Sequence, residues 1–175
     1  MSELSELEDR LEDLARQVAA RLEEQNKKIV FAESCTGGKM AAAMTTVPGI
    51  SSWFCGSAVT YREATKTQWL SVSESDLAQH TAESEFTTVK MAQGVLEKTP
   101  EADYCVAITG HLGPGVDSTI DGKVYAAAGR RHPEPPGFVL GELQLESSSR
   151  KTRQTEATCF ALELFLQATA QANRL

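Results

Sequence analysis

One short stretch, Ala32-Glu33-Ser34-Cys35-Thr36-Gly37-Gly38, carries a carboxylate, two hydroxyls, a thiol and two glycines. A serine hydroxyl on a turn can attack a carbonyl carbon, and backbone N–H groups beside it can hold the resulting oxyanion. The glycines let the backbone come close to a bound group. Lys66 offers an amine to take the serine proton, provided burial lowers its pKa from about 10.4 towards 7–8. Tyr61, Thr109 and Gly110 end apolar runs elsewhere in the chain, and Arg150 offers a guanidinium for a phosphate. Cys35 is a second candidate nucleophile, because a helix N-terminus lowers a thiol pKa. Each residue has a plainer use as well. Ser34 or Thr36 suits a helix cap, Lys66 and Arg150 suit a solvated surface, and Tyr61 suits a core edge.

The flanking segments supply the frame. Ile29-Val30-Phe31-Ala32 is a continuous apolar run with β-branched members, which predicts a strand buried on both faces. Residues 39–44 are rich in Ala, Met and Lys and predict a helix, so the stretch between them is a strand-to-helix turn. Residues 50–61 predict a second strand ending at Tyr61, followed by a short helix over 62–70 that carries Lys66. Residues 104–108 predict a third strand, released into the glycine-rich segment 109–115. That segment fits neither a dinucleotide-binding nor a Walker spacing. Ligands of open α/β sheets bind beyond the carboxyl ends of parallel strands, so parallel pairing would bring these polar ends together.

The remaining segments complete an α/β pattern. Leu4, Leu7, Leu11, Leu14 and Val18 predict an amphipathic helix ending near Asn26, its seam suited to the core or to a sister subunit. Ser73 and Ser84 predict helix starts. Residues 123–128 and 138–145 predict two strands joined by the Pro-rich loop 132–137, and Ala157, Phe160, Ala161, Leu164 and Ala168 predict a long final helix. The expectation is one domain over residues 1–175, a three-layer α/β/α fold with a mixed, mostly parallel sheet.

A net charge of −7 argues against binding nucleic acid by phosphate neutralisation. Four widely spaced cysteines without a C-x-x-C pair, and no apolar leader or spanning stretch, point to a cytoplasmic protein free of disulfides and of membrane. The histidines, His80, His111 and His132, show no metal-ligand spacing, so nothing local asks for a metal.

At these residues the chain resembles the CinA C-terminal domain family, whose enzymes are nicotinamide-nucleotide amidases. The likeness runs from about Val18 to Leu166 and is most specific at Ala32–Gly38, then at Val47-Pro48-Gly49-Ile50-Ser51-Ser52-Trp53-Phe54 and at Val59-Thr60-Tyr61 with Lys66. The resemblance implies hydrolysis of the carboxamide of nicotinamide mononucleotide, in pyridine-nucleotide salvage, without metal or cofactor. It implies Ser34 as nucleophile, Lys66 as base, and Tyr61 and Thr109 orienting the amide or Lys66. Glu33, Cys35, Thr36, Gly37, Gly38 and Gly110 would form the oxyanion and substrate surface, with Arg150 on the 5′-phosphate. Its members commonly self-associate, which implies a homo-oligomer. The chain departs from the family pattern at Arg62-Glu63, His111-Leu112, Val116, Asp121-Gly122-Lys123-Val124, Ser148-Ser149 and Gln154. Those departures leave two alternatives: a non-catalytic nucleotide-binding or regulatory protein, or an amidase for another small amide.

Overall fold

The chain folds in the order α1 (Glu3–Gln25), β1 (Ile29–Glu33), α2 (Lys39–Thr45), β2 (Phe54–Val59), α3 (Glu63–Leu70), α4 (Glu74–His80), α5 (Glu85–Lys98), β3 (Tyr104–Gly110), β4 (Lys123–Arg130), β5 (Gly137–Gln144) and α6 (Arg150–Ala172). The structure, a computed structural model, describes residues 2–133 and 136–172. Glu134 and Pro135 of the expected Pro-rich loop lie outside the described residues.

β1 is buried at every position, and its alternation divides the protein into two cores. Ile29 and Phe31 face a core built with Leu14, Val18 and Leu22 of α1, Met40 and Met44 of α2, and Leu162 and Phe165 of α6. Val30 and Ala32 face the opposite core, built with Leu70 of α3, Leu77 of α4, and Met91, Val95 and Leu96 of α5. The helices thus form a layer on each side of one sheet of strand order β2-β1-β3-β4-β5. β1 is parallel to both β2 and β3, whereas β4 runs antiparallel to β3 and β5. This is the expected mixed three-layer arrangement.

Local chemistry sets the element ends. Asn26 closes α1 in the left-handed conformation (φ 53°), as its short polar side chain allows. The apolar seam of α1 lies along α6. Ser73 and Ser84 cap α4 and α5, each accepting the N–H three residues on. The strand expected over 50–61 is shorter than its sequence pattern. Gly49 (φ 81°) turns the chain into a single 3-10 turn at Ile50–Ser52, and pairing with β1 ends at Val59. Tyr61 therefore stands beyond the strand. No helix among the described residues is long and apolar enough to cross a membrane.

Candidate active site

Parallel pairing brings the carboxyl ends of β1, β2 and β3 to one edge of the sheet. The Thr60 N–H donates to the Glu33 carbonyl (2.7 Å) and the Ser34 N–H to the Ile108 carbonyl (3.1 Å), so all three strand ends are tied where the turn begins. Gly37 and Gly38 then take positive φ (63° and 96°), which lets the chain reverse into α2. From the other layer, the Gln154 side chain of α6 donates to the Thr36 carbonyl (2.9 Å) and pins the turn from above.

Glu33 does not reach the substrate side. It is fully buried. Its Oε2 accepts from Thr36 Oγ1 (2.8 Å), the Gly38 N–H (3.1 Å) and the Met40 N–H (3.0 Å), and its Oε1 from the Ala41 N–H (3.0 Å) and Ser57 Oγ (2.9 Å). The carboxylate thus satisfies the orphan donors at the start of α2 and shapes the turn from behind. The Gly38 N–H is spent on Glu33, and the Gly37 N–H on the Ser34 carbonyl (3.0 Å). Those two glycines therefore shape the turn rather than hold an oxyanion. The N–H groups of Cys35 and Thr36 have no acceptor among the described residues, and Cys35 lines the cavity in front of Ser34.

Lys66 and Ser34 are in contact. Lys66 Nζ lies 2.9 Å from Ser34 Oγ and 2.8 Å from the Thr60 carbonyl, and the side chain is fully buried. No carboxylate lies within ion-pair distance of it among the described residues. Burial pushes the amine below its ordinary 10.5, against the opposing pull of the Glu83 and Glu63 carboxylates. The Thr60 carbonyl can only accept, so it must take an N–H from Lys66. A neutral Lys66 then has its one lone pair free for the Ser34 hydroxyl. Burial acts oppositely on Cys35, pushing its thiol up to about 12. The thiolate expected from a helix N-terminus is thus absent at neutral pH. α2 begins four residues later, and its first donors already serve Glu33.

A cavity of about 210 Å³ opens in front of Ser34, walled by Cys35, Tyr61, Glu83, Gly110, His111 and Arg150 among others. Arg150, the first residue of α6, donates to the Gly113 carbonyl and to the Tyr61 hydroxyl (3.0 Å). Tyr61 is 59% exposed and holds the arginine, with no bond to Lys66 or Ser34. Thr109 does not enter the cavity. Its hydroxyl is buried and donates to the Ala82 carbonyl (3.1 Å), because period-two alternation puts it on the α5 side with Cys105 and Ala107.

Two residues join the site that sequence reasoning did not single out. Thr60 supplies the carbonyl that holds Lys66, and its own buried hydroxyl has no partner among the described residues. Glu83, between α4 and α5, walls the cavity with its carboxylate near His111 (3.7 Å). A carbonyl role leaves no mark on residue type, and a charge in a short loop looks like any solvated one.

Comparison with known proteins shows the family and the fold. The model of the CinA C-terminal domain matches residues 11–169. The chain is 36% identical over 159 residues to the nicotinamide-nucleotide amidohydrolase PncC of Escherichia coli K12, covering 90% of this chain and 93% of that one. A CinA-like protein of Endomicrobium trichonymphae is 48% identical over 116 residues, 65% of this chain but only 27% of that longer protein. The crystal structure of the competence/damage inducible protein CihA from Agrobacterium tumefaciens superposes with a TM-score of 0.85 at 30% identity, covering 91% of this chain and 96% of that one. By sequence along most of its length and by fold, the chain belongs to the CinA C-terminal domain family.

Proposed function

We propose that this chain, acting as a single domain, is an amidohydrolase that converts nicotinamide mononucleotide to nicotinate mononucleotide and ammonia through Ser34 and Lys66. The observation that carries the reading is the 2.9 Å contact between a nucleophilic hydroxyl and a buried amine without a counter-ion. The likeness to the Escherichia coli nicotinamide-nucleotide amidohydrolase supports the reaction class.

The steps follow from the groups present. Ser34 Oγ attacks the amide carbon as its proton passes to the lone pair of neutral Lys66. The carbonyl oxygen becomes an oxyanion in front of the Cys35 and Thr36 N–H groups. Lys66, now an ammonium, gives the proton to the amide nitrogen; the C–N bond breaks and ammonia leaves. Water attacks the Ser34 ester and passes a proton to Lys66, which returns it to Ser34 Oγ as the carboxylate product departs. Arg150 offers its guanidinium to the 5′-phosphate and Tyr61 keeps it aimed.

The experiment is ammonia release from nicotinamide mononucleotide, alongside a panel of other small amides, by wild type and Ser34→Ala. The reading predicts release by wild type and a loss on the order of 10³-fold or more in the variant. Binding of the nucleotide without product would favour the regulatory alternative. Preferred turnover of another amide would reassign the substrate.

A further inference from the structure

Two side chains of opposite sign in the cavity, Arg150 and Glu83, have no permanently charged partner among the described residues. Among the described residues Arg150 bonds only to neutral oxygens, those of Gly113 and Tyr61, whereas the nearby Arg153 is neutralised by Asp121 (3.0 Å). Glu83 contrasts with Glu33 in the same way. Glu33 accepts five hydrogen bonds, but the Glu83 carboxylate accepts none among the described residues and has only His111 Nε2 nearby, at 3.7 Å. The two come from opposite layers of the fold. Glu83 enters from the loop between α4 and α5, Arg150 from the start of α6, and Ser34 sits on the strand end between those layers.

Glu83 lines the same cavity as Ser34 and Cys35. A substrate amide at Ser34 thus shares its cavity with a carboxylate from one layer and a guanidinium from the other. In nicotinamide mononucleotide the carboxamide is attached to a pyridinium ring, which carries a positive charge, and the phosphate lies at the other end.

We infer that Glu83, with His111 beside it, binds the positive charge of the substrate's ring, so that the cavity selects zwitterionic amides with cation at Glu83 and anion at Arg150. This rests on the amidase reading above. It makes Glu83 a specificity-determining residue, acting on the ring rather than on bond cleavage. An ion pair in a half-exposed cavity sets the expected scale at about tenfold in affinity.

The test is equilibrium binding to the Ser34→Ala protein, with and without Glu83→Gln, of two nucleotides that differ in ring charge. These are nicotinamide mononucleotide and its ring-reduced 1,4-dihydro form. Glu83→Gln should weaken the cationic nucleotide about tenfold and the neutral one less than about twofold. Glu83→Asp, which keeps the charge, should restore most of the preference, while Arg150→Ala should weaken both nucleotides alike. Equal losses for both nucleotides in Glu83→Gln, or no loss for either, would overturn the inference. Wild-type turnover separates the two claims. Hydrolysis of nicotinamide mononucleotide with no Glu83-dependent ring preference sinks the inference alone, and neither binding nor hydrolysis sinks both.

Discussion

Lys66 is a costly residue to bury, and its contacts show what the burial achieves. With one N–H held by the Thr60 carbonyl and no carboxylate in contact, the neutral amine is favoured and its lone pair is directed at Ser34. The base works deprotonated, so kcat/KM should rise with pH through a pKa below the ordinary 10.5 and then level off. A pH–rate profile checks this, and Lys66→Met should lose that limb along with on the order of 10³-fold of the rate. Glu33 belongs to the same scale with a different role. Glu33→Gln replaces a five-fold acceptor by an amide whose NH2 faces donors, so it should cost about 3 kcal/mol of stability, read by urea unfolding. Only a secondary loss of activity follows. Serine and lysine were legible as partners from residue type. The task of Glu33 was not, because a carboxylate in a polar turn reads the same whether it faces substrate or supports the backbone.

At the scale of elements, the strand-to-helix turn and its two neighbours were readable because apolar runs end abruptly in polar residues at Glu33 and Thr109. Period-two alternation, applied strictly, would also have placed Thr109 on the α5 side with Cys105 and Ala107 rather than in the cavity. The end of β2 was harder to read, since Thr60 and Tyr61 continue a β-rich pattern after pairing with β1 has stopped. The layer that delivers Lys66 depends on close packing between α3 and α5. A Cβ on Gly94 of α5 would stand 2.0 Å from the Leu70 carbonyl oxygen, where α3 ends. Gly94→Ala should therefore push the two helices apart. The expected outcome is about 2–3 kcal/mol lost in chemical denaturation, with reduced kcat because Lys66 is carried on the displaced helix. A variant with unchanged stability would show that α3 tolerates the shift.

For the whole molecule, burial of titratable groups makes stability depend on pH in two opposing ways. Lys66 has a folded pKa below 10.5, so between that value and 10.5 the unfolded chain holds more protons, and its contribution to stability grows as pH rises. The buried thiols act oppositely. Cys35 and Cys105 are pushed up to about 12 from 9.0, so their contribution is complete below about pH 9 and declines above it. Subtracting Lys66→Met from wild type isolates the first effect. The difference in unfolding free energy, wild type minus variant, should rise as pH goes from about 7 to about 10 in urea titrations. A flat difference would mean that Lys66 is not desolvated. Neither trend could be read from composition, because net charge counts lysines and cysteines without saying which are buried.

The most direct test is acid-quenched intact-mass analysis of the protein during turnover of nicotinamide mononucleotide, followed by peptide mapping. An ester of Ser34 with the carboxyl group of nicotinate mononucleotide, its ribose phosphate still attached, is the predicted result, absent in Ser34→Ala. Undiminished ammonia release by Ser34→Ala, with no acyl group on the wild-type serine, would contradict it.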